Sequence, residues 1–186
     1  FNIYSKDHNY CSEELTFTVK IIDKATPKLY VNSVSAVYNG EPVPASLISG
    51  TAKVDGHEIP GTWSWKNGKS PTNVSDSREY IVLFEPTYSY LYYGATIPVE
   101  VTITPKPIGD ISLTLDKDSF IYNGSAHKPT VTAKMNETKL AANTDYTVTY
   151  PTDMTNAGAK VLKVEGHGNF TGENELPYTI ETCNTA

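Results

Sequence analysis

The residues with chemistry to offer are few and scattered. Four histidines, His8, His57, His127 and His167, stand far apart with no pair at metal-ligand spacing, and only two cysteines exist to complete a zinc site. Asp116-Lys117-Asp118 opens like a calcium loop, but the later glycine and the closing glutamate are missing, so it reads as a solvated strand end. His8 and Cys11 are close in sequence, yet nothing evident orients the imidazole as a base toward the thiol. No Gly-x-Ser-x-Gly elbow is present. The expectation is a non-enzyme with no metal site and no cofactor.

The sharpest candidate is aromatic. Tyr88, Tyr90, Tyr92 and Tyr93 crowd residues 87–94, and Trp63 and Trp65 fall on one strand face. Flat aromatic faces on a β scaffold are what a sugar ring stacks on, so Tyr88, Tyr90, Tyr92, Trp63 and Trp65 are a candidate carbohydrate contact. Alternation sets Tyr88, Tyr90 and Tyr92 on one side and Tyr93 on the other. A competing reading, which weighs more, gives both tryptophans and either Tyr92 or Tyr93 to the core and leaves the rest over a loop.

These side chains must be held by strands, and the strands come in a repeat. Val37-Tyr38-Asn39-Gly40 returns as Ile121-Tyr122-Asn123-Gly124, 84 positions on, and Thr72-Asn73 returns as Thr155-Asn156, 83 positions on. Two independent landmarks thus agree on the period. An Asn-Gly step after an apolar run is a turn signal, because both residues tolerate positive φ, so each copy ends its first strand there. Strands are expected from about Tyr30 to Tyr38, from Leu47 to Val54, around Trp63 and Trp65, along the apolar run Tyr80 to Phe84, and over Ile97 to Ile103. The second copy has counterparts at Ile111 to Leu115, Val131 to Met135, Tyr146 to Tyr150 and Val161 to Val164.

Thirteen Tyr with only two Met favour pleated strands, while 12 Gly and 12 Pro punctuate them. No window carries a 3.6-residue apolar stripe. The expected fold class is therefore all-β: tandem small β-sandwich repeats with no substantial helix. Residues 24–104 form one repeat and 105–182 a second, each entered through a stiff proline joint, Ala25-Thr26-Pro27 and Thr104-Pro105-Lys106-Pro107. Residues 183–186 are a tail. Residues 1–23, with Leu15, Phe17, Val19 and Ile21 alternating, read as the last hairpin of a preceding repeat whose front is missing.

The formal net charge of −6 with a single arginine, Arg78, leaves no basic stripe for nucleic acid. No apolar run is long enough to span a membrane. The chain starts in mid-pattern at Phe1, as a piece of a longer protein would. Cys11 and Cys183 belong to equivalent ends of different repeats and are expected not to bond to each other. The unpaired edge of residues 1–23 is expected to dock on the 24–104 unit or to pair with its copy in a homodimer.

The series Tyr122-Asn123-Gly124, Asp145-Tyr146-Thr147-Val148-Thr149-Tyr150, Asn156-Ala157-Gly158 and Gly166-His167-Gly168-Asn169-Phe170-Thr171-Gly172 resembles the tandem immunoglobulin-like repeats of bacterial surface proteins. The first unit, with Lys24-Ala25-Thr26-Pro27, Gly61-Thr62-Trp63 and Thr72-Asn73-Val74, resembles the sister MBG or YDG type. That resemblance implies an extracellular stalk or spacer, secreted or attached to the cell wall, whose partners are neighbouring repeats of the same chain. It carries over no catalytic residue. The alternative function is a carbohydrate- or host-surface-binding module using the aromatic run. Some bacterial surface domains with this fold also join a lysine to an asparagine side chain beside a buried carboxylate, and Lys106 with Asn169 is a conceivable pair, although ordinary exposure is the favoured reading of both. The sequons at Asn73, Asn123, Asn136 and Asn169 carry little weight in a bacterial protein.

Overall fold

A computed structural model describes residues 22–183. All but residues 22 and 23 of the expected 1–23 hairpin, with its dimer contact and any pairing of Cys11, lie outside the described residues; Cys183 is exposed. Within them the chain is all-β, with four one-turn 3-10 segments and no α-helix.

The first half contains β1 (Lys28–Val31), β2 (Val34–Val37), β3 (Gly50–Val54), β4 (His57–Glu58), β5 (Gly61–Trp65), β6 (Arg78–Pro86) and β7 (Ala95–Thr104). Strands β2, β7, β6 and β5 make one sheet in that order, and β1, β3 and β4 make another. Alternation builds the core between them. In β7 the residues Val99, Val101 and Ile103 turn inward while Pro98, Glu100 and Thr102 face water. β6 reads as apolar on both faces, but it is buried on one: Val82 and Phe84 are enclosed, whereas Ile81 is 39% exposed.

Two strand boundaries differ from expectation. The single strand foreseen from Tyr30 to Tyr38 is broken at Asn32-Ser33, residues of low strand propensity, where the Asn32 N–H turns to the Ser49 carbonyl at 2.9 Å. As a result β1 pairs with β3, while β2 crosses to lie parallel to β7. The strand foreseen from Leu47 starts only at Gly50, because Ala45–Leu47 takes a 3-10 turn after Pro44.

The second half contains β8 (Lys106–Pro107), β9 (Ser112–Leu115), β10 (Ser119–Ile121), β11 (Val131–Met135), β12 (Thr138–Lys139), β13 (Tyr146–Thr149), β14 (Gly158–Gly166), β15 (Phe170–Thr171) and β16 (Glu173–Glu181). Its large sheet has the order β10, β16, β14, β13, and β12, β11 and β9 make the smaller one. The first half shows the same order, down to the parallel pair β10 with β16 that answers β2 with β7. Leu162, Val164, Tyr146, Tyr178 and Ile180 from the large sheet enclose Val131 and Ala133 from the small one. No strand of one half pairs with a strand of the other among the described residues.

The repeated Tyr-Asn-Gly turn is the same object twice. The Tyr38 N–H donates to the Thr104 carbonyl at 2.9 Å, and the Tyr122 N–H donates to the Glu181 carbonyl at 2.8 Å. Only the glycines take the left-handed conformation, at φ 85° for Gly40 and 76° for Gly124. Asn39 and Asn123 act through their side chains, whose Oδ1 atoms accept the N–H two residues on, each at 2.9 Å.

Candidate functional site

The aromatic candidates do not form one platform. Tyr88 to Tyr92 is a turn, not a strand: the Leu91 and Tyr92 N–H groups both donate to the Tyr88 carbonyl, at 3.0 and 3.1 Å. Strand alternation therefore does not apply there. Tyr88 and Tyr90 meet edge to face at 6.0 Å and remain 45% and 69% exposed. Tyr92 leaves them, packing with Leu29 and Trp63 against Ala52, Ile59 and Phe84. Trp63 leans on the Phe84 ring at 4.9 Å. Trp65 is buried, and its indole Nε1 donates to the Val43 carbonyl at 2.8 Å, satisfying the one polar atom that burial would otherwise strand. Trp65 thus presents no face to a sugar, Trp63 and Tyr92 are committed to packing, and of the five candidates Tyr88 and Tyr90 keep exposed rings.

A denser constellation lies where the two halves meet, and its centre is the loop Gly166–Gly172. Gly166 is closely backed by Phe170 and Thr171, so that a Cβ there would sit 2.8 Å from the Thr171 nitrogen. Gly168 and Gly172 hold φ values of 64° and 77°, which bend the loop tightly enough to project Asn169 and Phe170. The Asn169 carbonyl accepts the Lys106 N–H at 3.0 Å, and β15 then runs parallel to β8. Lys106 and Asn169, paired in the sequence as a conceivable covalent staple, are therefore neighbours through their backbones.

The Asn169 side chain is directed at the first half. Its Oδ1 accepts the Val74 N–H at 2.9 Å, and its Nδ2 donates to Asn73 Oδ1 at 3.0 Å. Beside it the Phe170 ring meets the Tyr38 ring edge to face at 5.5 Å. Tyr38 packs against the cores of both halves. Gly40 lies so close to the second half that a Cβ would come within 2.9 Å of Met135 Cε. Both amide atoms of Asn169 are engaged, and among the described residues there is no buried charged side chain to serve as the carboxylate that a staple requires.

The partner surface is held in advance by Asp76. Its Oδ2 accepts the Thr72 and Asn73 N–H groups at 3.1 and 2.8 Å and the Asn73 Nδ2 at 3.4 Å. Those bonds from the Asn73 and Thr72 backbone hold the Asp76 carboxyl below the usual aspartate range. They also fix the Asn73 amide with its oxygen facing outward, toward Asn169. What the arrangement does chemically is orient: a neutral, geometrically specific pair of hydrogen bonds across a seam, with an aromatic contact beside it.

Three of the remaining candidates touch neighbouring side chains or backbone. His127 stacks on Phe120 at 4.8 Å, and His167 bonds to the Thr147 hydroxyl at 2.9 Å. Asp116 accepts the Thr130 N–H at 2.8 Å, which places it at a strand end. Among the described residues no group of His, Cys, Asp or Glu is placed to hold a metal, and no helix is long and apolar enough to cross a membrane.

No protein-family model and no curated protein matches the chain, so the resemblance to MBG- or YDG-type repeats has no family match behind it. Among solved structures the chain is similar to the protocadherin GammaB4 extracellular domain, at 12% identity and a TM-score of 0.30 over 84% of this chain and 33% of that one. It is also similar to mouse cadherin-23 EC22-24, at 12% identity and a TM-score of 0.31 over 87% of this chain and 66% of that one. The chain thus spans a third of the length of the first of these structures and just under two thirds of the second.

Proposed function

We propose that the chain is a non-enzymatic spacer of a secreted or cell-surface protein, built from β-sandwich units (residues 24–104 and 105–182) that stack end to end and project an adhesive or other functional part. The observation that carries this reading is the Asn169 amide, which bridges Asn73 Oδ1 and the Val74 N–H across the seam. A free linker would leave two such units to reorient and shorten their mean reach, whereas a directional seam holds them in line. The longest strand of each unit has 10 and 9 residues, so each extends on the order of 30 Å and a locked pair roughly twice that. Proline at Pro105 and Pro107 removes two backbone donors and fixes φ, which stiffens the short connection further.

Small-angle X-ray scattering on residues 1–186 tests the reading. The chain should scatter as one extended body of fixed length, and the Asn169→Ala, Tyr38→Ala pair of substitutions should broaden the distance distribution. Identical profiles for the two proteins would remove the basis of the spacer.

A second reading rests on Tyr88 and Tyr90, the exposed edge-to-face pair, as a glycan or host-surface contact. Saturable binding on a glycan array, abolished by Tyr88→Ala and Tyr90→Ala, would replace projection with recognition.

A further inference from the structure

The seam uses one end of the first half, and the corresponding end of the second half is built to the same plan. The His127 N–H donates to the Met154 carbonyl at 2.8 Å as the Val43 N–H donates to that of Pro71 at 2.8 Å. The Tyr122 turn repeats the Tyr38 turn bond for bond. Thr155 and Asn156 are held through their N–H groups by Asp153 Oδ1, both at 3.0 Å, as Thr72 and Asn73 are held by Asp76. Asp153 Oδ2 also takes the Asn156 Nδ2 at 3.3 Å and the Lys160 ammonium at 2.8 Å.

The two ends differ in occupancy. Tyr38 lies against Phe170, while Tyr122 is 39% exposed. Gly40 is covered by Met135, whereas a Cβ on Gly124 would meet nothing within 4 Å. The Val74 N–H is given to Asn169; its counterpart, the Ala157 N–H, has no partner among the described residues, and neither does Asn156 Oδ1.

We propose that Tyr122, Gly124, Asn156 and Ala157 form a socket for a loop of a further unit, the counterpart of Gly166–Gly172, that presents an asparagine followed by an aromatic residue as Asn169-Phe170 does. The chemistry of the socket selects that occupant. Asp153 turns the Asn156 amide so that its oxygen faces out and demands a donor, while the Ala157 N–H one residue on demands an acceptor. A primary amide meets both, and a carboxylate would set its charge against the Asn156 oxygen and Asp153. The exposed Tyr122 ring supplies the edge-to-face partner for the aromatic residue. The 24–104 unit does not offer such a loop, because it carries Leu91 where the second half has Asn169: the Ala25 N–H donates to the Leu91 carbonyl as that of Lys106 does to the Asn169 carbonyl.

This inference rests on the reading of the chain as stacked units, and the test separates the two. Residues 105–183, whose strands pair among themselves around their own core, are appended after Glu181 of the full chain, and amide hydrogen exchange is followed. The Ala157 amide is expected to slow by about tenfold, and Asn169→Ala in the appended copy alone should restore its original rate. Unchanged exchange at Ala157, with the appended Leu162 and Val164 amides protected, overturns the socket. An appended copy that stays unfolded also counts against it, since a unit with a complete core on a complementary seat folds. The Val74 amide reports separately on the existing seam: if Asn169→Ala in the original second half leaves Val74 unchanged, the stacked-unit reading itself fails.

Discussion

Asn169 Nδ2 donates to Asn73 Oδ1 at 3.0 Å across a sequence separation of 96 residues. Two amides from different halves of the chain thus read each other directly, each already oriented by its own half. Asn73 is held by Asp76, and Asn169 by a loop whose backbone is tied to Lys106. Because little conformational freedom is left to lose when they meet, a pair of neutral hydrogen bonds at a half-buried seam becomes effective.

A double-mutant cycle on Asn73→Ala and Asn169→Ala should therefore return a coupling of about 1 kcal/mol in denaturant unfolding. The cycle pairing Asn156→Ala with Asn169→Ala should return none, because Asn156 occupies the same place in a turn that Asn169 does not touch. Equal coupling in both cycles would show a general effect on the asparagine turns and not a contact.

The same comparison applies to the tyrosines. Tyr38→Ala removes an edge-to-face pair as well as buried area, and it should destabilise the chain by about 1 kcal/mol more than Tyr122→Ala, whose ring has no aromatic partner among the described residues. Thermal unfolding of both variants measures this difference. A larger loss from Tyr122→Ala would contradict the assignment of Tyr38 to the seam.

Acid should loosen the seam. The Asp76 carboxyl is held below its ordinary value by the Asn73 and Thr72 N–H groups, so its contribution is fully present above the unfolded pKa of 3.8 and is lost as pH falls through the lower folded value. Relaxation measurements should find the halves tumbling together at neutral pH and separately once pH has fallen below the ordinary aspartate range. Asp76→Asn should be loose at neutral pH and show no acid transition. Asp153 is depressed as well, first by Lys160, but it lies on the far end and should leave the existing seam untouched.

Burial separates the aromatic candidates. Trp65→Phe removes the indole donor to the Val43 carbonyl and leaves a space beside Tyr80, at an expected cost of about 2 kcal/mol. Tyr88→Ala and Tyr90→Ala should each fall within about 0.5 kcal/mol of the parent, as exposed loop substitutions do. Chemical denaturation distinguishes these outcomes, and a stability loss at Tyr90 as large as that at Trp65 would mean the loop is packed.

The sequence made the period visible because the turn that recurs is a local device: glycine supplies the positive φ, and asparagine caps the residue two on. Thr72-Asn73 and Thr155-Asn156 are legible for the same reason. The carboxylate that holds each pair is not, since Asp76 follows its asparagine by three residues and Asp153 precedes its own by three, so no alignment of the copies pairs them. Asn169 was visible as a residue near Lys106, but its role depends on an asparagine in the other half that no local pattern connects to it. Tyr88 to Tyr92 misled because alternation is a property of extended chain, and that segment closes a turn. Trp65 needed the Val43 carbonyl to be placed, which a pattern of apolar residues does not reveal.

The most direct test of the central claim, that the two halves are locked end to end, is the alignment of each half in a dilute liquid-crystalline medium, read from backbone residual dipolar couplings of residues 28–104 and 106–181 in one sample. A single rigid body requires the same alignment tensor, in magnitude and orientation, from both sets. Tensors of different magnitude would mean that the halves move independently, and the seam built on Asn169 and Tyr38 would then not hold them.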